Sequence, residues 1–550
     1  MSGRAIFDIP RGVKSCSRRE FLRTLAGAGF ACSVPSLACA TEALNDDAVT
    51  ISIMHTTDLH GHILPTADYA GRADLGGLAR CVTQIRKWRR ENRNSILIDV
   101  GDVYQGTDVG LRTKGELMID LFNYLKYDAW IVGNHEFDWG VDVFTNAVAR
   151  STMPVVAANM TIEGAQAGEF RDAKHPFAKI RSYVLKEIAG IRIAIIGVTT
   201  PGMPFWFRPE FTRGFDFQYP VEPARRAIAR ARSERADAIV LSGHMGLKPR
   251  TGGDDFANNV TVLTSEFPEA AAFIAGHTHQ AVSNRLVNGV LLTQADHFGI
   301  HVGRVDLVFD RSSKKLLSRH ASCEVMDSLL GLDHIVLSRA KPQLDASHAA
   351  LAEPIGGLAE TLHVHGHPGE PSEVEQLIGA AIIESLRERG VALVGVMHGL
   401  FDDRNNLVAG PKTVDDVWKI LPFENYVVTA ELLPEEIKAV MEETFASHER
   451  RNLLGFDLVT EGSGKNRRVT SIRLHSGEPL ERDKRYRIAF NTFDSRSAGH
   501  RFMKLRALLE MPTANCTLHP VQTRDAMIDY FRRHSVVHKI TRVNDWTQAA

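Results

Sequence analysis

Five short motifs hold most of the side chains in this sequence that could do chemistry. DLHGH supplies Asp58 and His60, GDVYQG supplies Asp102, and GNHEFDWG supplies Asn134, His135 and Asp138. SGHMG adds His244, and AGHTH adds His277 and His279. Asp, Asn and His donate oxygen and nitrogen to metal ions. The i, i+2 spacing of Asp58 with His60, and of His277 with His279, puts both side chains of an extended segment on one side. Glycines beside Asp102 permit tight turns and close backbone approach. Any one of these motifs alone is ordinarily a turn, a cap or a satisfied polar residue. Together they supply two adjacent cations, which need about seven or eight donors with one carboxylate able to bridge. Thiolate ligands play no part, because Cys81, Cys323 and Cys516 are scattered and form no C-x-x-C pair.

Those motifs must be held by something, and each follows an apolar run. TISIMH, SILIDV, AWIV, PVVAAN, IRIAIIGV, DAIVLSGH, AAFIAGH and GVLLTQADHFG all read as buried-type strands. LGGLARCVTQIRKWRREN places Leu78, Val82 and Ile85 on one helical face, with Arg86 to Arg90 as its solvated end. The alternation is that of an α/β protein, in which ligands gather beyond the strand ends. HIVLSRAKPQLDASHAALA reads as a helical connector over 333–355, and LAEPIGGLAETLHVHGHPGEPS as a loop. A second module over 356–545 has helices at EVEQLIGAAIIESLRE and DVWKILPF, and strands at NYVVTAEL, VTSIRLH and YRIAFNT.

The totals agree with two domains: 550 residues are too many for one ordinary core. With 44% hydrophobic and 24% charged residues and a net charge of −1, no strong field invites a nucleic-acid polymer or an anionic membrane. At the N-terminus, SRREFLRTLAGAGFACSVPSLACA carries Arg18 and Arg19, then Phe21 and Leu22, a modest apolar run and Ala38-Cys39-Ala40. That is the form of a twin-arginine signal over residues 1–40, implying the twin-arginine export machinery as partner and a periplasmic or secreted product. The run is too short and too rich in Gly, Ser and Ala for stable membrane insertion.

The order D-x-H, G-D, G-N-H-E, G-H and G-H-x-H resembles that of the calcineurin-like metallophosphoesterases. LGGLARCVTQIRKWRRENRNSILIDVGDVYQGT and GNHEFDWG resemble, more closely, the secreted 5′-nucleotidase family. The resemblance implies a β-sandwich flanked by helices over residues 48–332, followed by a smaller α/β domain. It further implies two divalent cations, such as Mn²⁺ or Zn²⁺. Asp58, His60, Asp102 and His279 would hold one, and Asp102, Asn134, His244 and His277 the other. His135 would stabilise charge on the phosphoryl group, oriented by Asp138, while metal-activated water attacks phosphorus. Glu136 receives no role beyond a structural one.

The same resemblance makes the second module the nucleotide pocket. DDRNNLVAGPKTVDDVWKILPFEN maps Arg404, Phe423 and Asn425 onto phosphate- and base-binding positions, and YRIAFNTFDSRSAGHRF maps Phe493 as a second ring. The same phenylalanines would equally suit a core. Three departures bear on monophosphate recognition: HGLFDDR replaces a glycine-rich tract, AGHRF puts His500 where a ribose-binding Asp is expected, and LHVHGHPGEPSEVEQLIG lacks phosphate-binding arginines. The expected activity is hydrolysis of phosphate esters, of nucleotides in the first place. The alternatives are a thiosulfohydrolase of the same fold and a spent ligand-binding homologue. Two decoys read otherwise: His363, His365 and His367 as a solvated loop without acidic partners, and GSGKN as a hairpin turn.

Overall fold

A computed structural model describes residues 47–169, 176–248, 251–366, 370–400, 404–447 and 451–540. The expected export signal, with Arg18, Arg19 and Ala38-Cys39-Ala40, lies outside the described residues, as does His367.

Side-chain parity along the strands builds the layers. In Ala48–Thr56, Val49, Ile51 and Ile53 enter one apolar core, whereas Met54 enters another. Ile96 and Ile98 of Ser95–Asp99 join the first core, and Leu97 between them joins the second. In Ile191–Val198, Ile193 and Ile195 meet that same first core, while Ala194 and Ile196 turn to a third. Period-two alternation therefore makes each sheet apolar on both faces, and both must be covered.

One sheet runs Leu316–Val325, His301–Asp310, Ala48–Thr56, Ser95–Asp99, Ala129–Ile131, Val155–Val156, Ile180–Arg181. The other runs Ala281–Val287, Val290–Ala295, Ala272–Ala275, Ala238–Gly243, Ile191–Val198, Tyr183–Ile188. Their shared core contains residues of both sheets and of no helix. Helices Leu78–Glu91, Glu116–Leu125 and Val141–Arg150 cover the first sheet's outer face, and Val221–Ser233 and Val260–Glu266 cover the second's. The result is the expected β-sandwich flanked by helices.

The basic end of helix Leu78–Glu91 is tethered rather than merely solvated. Arg86 pairs with Asp333 at 2.9 Å, Arg89 donates to the Leu125 carbonyl at 2.8 Å, and Trp88 between them is buried. Asp333 also caps the connector helix His334–Leu351, accepting from the Ile335 and Val336 amides. Val336 and Ala340 enter the first module's outer core, and Leu351 packs on the second module's core.

The second module is built on a five-stranded sheet, in the order Asn452–Leu454, Gly395–His398, Tyr486–Asn491, Tyr426–Leu432, Thr517–Gln522. Ile488 and Phe490 face helices Pro434–Ala446 and Met503–Leu509, while Ala489 faces Glu373–Arg387 and Thr523–His534. The stretch read as a loop contains a strand, Pro354–Leu358, paired with Gly410–Thr413 and Val536–Val537. Its glycines serve close approach: a Cβ at Gly356 would lie 2.8 Å from the Phe531 carbonyl oxygen. His363 is exposed but does have an acidic partner, its Nδ1 lying 2.9 Å from a Glu373 oxygen. GSGKN joins the antiparallel strands Phe456–Glu461 and Arg468–Leu474, as a hairpin turn does.

The inter-sheet core should dominate stability. Ile195→Ala, at a fully buried position, should lower unfolding free energy by about 2–5 kcal/mol, whereas Leu329→Ala, 90% exposed, should change it by less than about 0.5 kcal/mol. Urea titration of both variants checks this.

Candidate metal centre and interdomain cavity

Five strands from both sheets deliver the candidate ligands just beyond their ends. Asp58 follows Ala48–Thr56, Asp102 follows Ser95–Asp99, and Asn134 to Asp138 follow Ala129–Ile131. His244 follows Ala238–Gly243, and His277 with His279 follows Ala272–Ala275. Neither i, i+2 pair is extended. Asp58, His60, Asp102, His277 and His279 all have left-handed backbone, with φ between 48° and 72°. Asp58 and His60 converge because the chain turns at both residues, with buried Leu59 between them.

These side chains fall into two groups, Asp58–His60–His279 and Asp102–His244–His277, with ligand atoms in each within 4.8 Å of one another. Asp102 reaches both: its Oδ2 lies 3.0 Å from His244 Nε2 and 3.8 Å from His60 Nε2. Backbone carbonyls fix the imidazole tautomers. A carbonyl only accepts, so the Gln105 oxygen, 2.9 Å from His60 Nδ1, makes that nitrogen the donor and leaves the Nε2 lone pair facing inward. The Val100 oxygen, 2.6 Å from His244 Nδ1, does the same there.

The donor set fits cations better than it fits itself. His60 Nε2 and His279 Nε2 stand 3.2 Å apart. Asn134 Oδ1 is buried and makes no hydrogen bond among the described residues, and the Asp102 carboxylate, 3.0 Å from His244 Nε2, raises that imidazole to about 9 against its burial, drawing a positive charge to the place a cation would take. Burial pushes His60 down to about 3 and His277 down to about 4, so both imidazoles are neutral, as metal ligands must be.

His135 stands beside this set, its ring 5.1 Å from that of His60. Its Nδ1 lies 2.6 Å from Asp138 Oδ2, and its backbone amide donates to Asp102 Oδ1 at 2.8 Å. Burial would lower the His135 pKa, but the Asp138 and Asp102 carboxylates outweigh it and raise it to about 10. Burial also raises Asp138, to about 6, against the pull of His135. The pair is thus an imidazolium held by a carboxylate.

Glu136 has a larger part than its sequence neighbourhood suggested. Fully buried, it accepts from the amides of Gly133 at 2.6 Å, Val103 at 2.7 Å and Asp102 at 3.0 Å. It therefore clamps the Asp102 loop to the Asn134 loop. Gly133 completes that clamp, since a Cβ there would lie 2.3 Å from Asp102 Oδ1. Tyr69 carried no signal in the sequence, yet its hydroxyl lies 2.7 Å from His279 Nδ1.

A cavity of about 1030 Å³ opens where the two modules meet, and Asn134, His135, Asp138 and His277 line its wall. Phe423, Asn425 and Phe493 also line it. Phe423 is 39% exposed and stacks on His135 at 6.4 Å between ring centroids. Asn425 is buried, its Oδ1 accepting from Thr492 Oγ1 and the Phe493 amide, each at 3.3 Å. Arg404 is not on that wall. It lies over the Tyr69 ring at 5.9 Å, beside the residue that touches His279. Among the described residues, no helix is long and apolar enough to cross a membrane.

If Glu136 positions the shared carboxylate, Glu136→Gln should weaken metal retention by about 10- to 100-fold. Equilibrium dialysis of the variant against Mn²⁺ or Zn²⁺ measures this directly.

Comparison with known proteins agrees with the geometry. The calcineurin-like phosphoesterase family model matches residues 51–281, and the 5′-nucleotidase C-terminal domain model matches residues 354–506. A 2′,3′-cyclic-nucleotide 2′-phosphodiesterase/3′-nucleotidase of Salmonella typhimurium is 28% identical over 359 residues, 58% of this chain and 54% of that one. Protein UshA of Yersinia enterocolitica is 26% identical over 511 residues, 84% of this chain and 88% of that one. The crystal structure of a 5′-nucleotidase precursor from Thermus thermophilus has the same fold, with a TM-score of 0.67, 23% identity, and coverage of 89% of this chain and 97% of that chain. The chain spans about half the length of the Salmonella relative. With both modules matched in order, the chain belongs to the calcineurin-like metallophosphoesterases that carry a 5′-nucleotidase-type C-terminal domain.

Proposed function

We propose that this protein is an exported hydrolase of phosphate esters, with nucleotides as substrates, of 5′-nucleotidase or 2′,3′-cyclic-nucleotide phosphodiesterase type. The observation that carries the reading is the pair of buried ligand groups that Asp102 reaches together, with the His135–Asp138 ion pair beside them at a cavity wall. One cation belongs with Asp58, His60, Asp102 and His279, and the other with Asp102, Asn134, His244 and His277. Two divalent ions such as Mn²⁺ or Zn²⁺ would supply charge to the phosphoryl oxygens and lower the pKa of an attacking water.

The chain's own residues do the rest. A phosphate ester is an anion that repels nucleophiles, so the imidazolium of His135 stabilises the charge that grows as the ester bond breaks. It then hands its Nε2 proton to the leaving oxygen, while Asp138 keeps the ring oriented and protonated. Phe423 and Phe493 offer flat surfaces for a base, and Asn425 ties their two segments together. Arg404 would reach a phosphate from the Tyr69 side. Export by the twin-arginine machinery to the periplasm or beyond rests on the Arg18-Arg19 signal.

Purified protein with added Mn²⁺ or Zn²⁺ should hydrolyse AMP or 2′,3′-cyclic AMP; no turnover of any phosphate ester under any metal would sink the reading. Asp102→Ala should abolish activity and metal retention together, as read by assay and elemental analysis. His135→Ala should lose about 10²- to 10⁴-fold in kcat while both metals remain.

A further inference from the structure

The cavity wall carries a second group of rings that a single base between Phe423 and Phe493 leaves unused. Trp206 and Phe256 of the first module and His500 of the second all line the cavity. Phe256 and His500 stack, with centroids 5.2 Å apart and planes at 23°, and Phe205 meets His500 edge-on at 5.1 Å. Trp206 lies 5.6 Å from Phe256 and 5.1 Å from the candidate ligand His277. The neighbouring backbone leaves room for the indole, since a Cβ on Gly499 would lie 3.1 Å from Trp206 Nε1. Two hydrogen bonds tie the segments: Ser497 Oγ donates to the Phe205 carbonyl at 3.0 Å, and Arg496 Nη2 to that of Pro204 at 2.9 Å.

The two ring groups adjoin different halves of the metal set. Phe423 stacks on His135, which abuts His60 of the first ligand group. Trp206 abuts His277 of the second. A phosphorus held by both groups thus has an aromatic surface near each end, and a cavity of about 1030 Å³ stands at the upper end of ligand pockets, about 300–1,000 Å³. A monoester has one organic arm and fills one such surface. A diester has two.

We propose that Trp206, Phe256 and His500 form a subsite for the retained arm of a phosphodiester that carries a flat ring on each arm. This rests on the two-metal hydrolase reading and narrows its substrate class. Water oxygen bonds to phosphorus, the P–O bond to the arm beside Phe423 breaks, and that oxygen takes a proton. The products are an alcohol and a phosphate monoester whose remaining arm lies on Trp206. His500, a departure from the family pattern in sequence, becomes the second module's contribution to this wall.

The test compares bis(p-nitrophenyl) phosphate with methyl p-nitrophenyl phosphate, which have the same charge and leaving group but differ in the retained arm. In the Mn²⁺-loaded full chain, Trp206→Ala and Phe256→Ala should each lower the ratio of the two kcat/KM values by about tenfold, as expected for losing one stacking surface. His500→Asp, at an exposed position, should lower the ratio in the same direction and guards against misfolding of the Trp206 variant, with Tm measured for all three. An unchanged ratio in the folded variants overturns the subsite. Cleavage of monoesters with no cleavage of either diester also overturns it while leaving the two-metal reading intact. Absence of all ester hydrolysis removes the two-metal reading itself.

Discussion

Asp102 carries its carboxylate between two candidate ligand groups while buried, and much of the surrounding structure follows from holding it there. Its Oδ2 faces His60 and His244, and its Oδ1 is held by the His135 amide. Its own amide is fixed by Glu136, whose carboxylate gathers two neighbouring amides as well. A buried carboxylate without compensating charge is costly, and here the Asp102 and Asp58 carboxylates raise His244 to about 9 against its burial, so the site draws positive charge to itself. Divalent cations are the natural counter-charge. The arrangement also strains the chain: left-handed backbone at non-glycine residues costs of order 1–3 kcal/mol each, and five donors adopt it. Such a sum rivals the net stability of a whole domain, about 5–15 kcal/mol, so the scaffold must over-determine these loops.

The sandwich does so by giving its strands no freedom of register. A one-residue slip of Ser95–Asp99 would exchange Ile96 and Ile98 for Leu97 between two different cores and turn Asp102 away from the ligand cluster. The same holds for Ile191–Val198 in the facing sheet. Packing two sheets directly on one another brings strand ends from both to one edge. Asp58, Asp102 and Asn134 arrive from the first sheet, and His244, His277 and His279 from the second.

Much of this was legible in the sequence because apolar runs and glycine-flanked polar motifs are local signals. The strands, the connector helix and the motifs whose six side chains gather into two candidate ligand groups could be read that way, and the sandwich came from family resemblance. What escaped was geometry that depends on distant backbone. D-x-H looks like an extended pair, but both residues of DLHGH take left-handed conformations set by hydrogen bonds to the Asp102 loop, such as His60 N to the Asp102 carbonyl. Glu136 lay between two more conspicuous residues, and only the folded loops bring three amides to it. The glycines of Pro354–Leu358 signal a loop by composition and a close strand crossing in space. Tyr69 sits in a polar stretch with no pattern, so its contact with His279 had no local trace.

The two modules are coupled through the ligand shell as well as through the cavity. Gln105 accepts from His60 Nδ1 with its backbone oxygen and donates from its side chain to Glu424 at 2.7 Å. Glu424 in turn pairs with buried Arg524, whose guanidinium lies 3.4 Å from the centroid of the Trp418 ring. A buried ion pair of this kind contributes little net stability, but it is severe on misplacement, because separating its members strands a charge. It therefore fixes Glu424 within the second module, and the Gln105 side chain meets that fixed carboxylate from the first. The residue that fixes the tautomer of one candidate ligand is the same residue that meets the second module's wall. The candidate ligand cluster belongs to the first module, while Phe423, Asn425, Phe493 and His500 bring the second module's side of the same cavity, and the Gln105–Glu424 bond holds the two to a common frame.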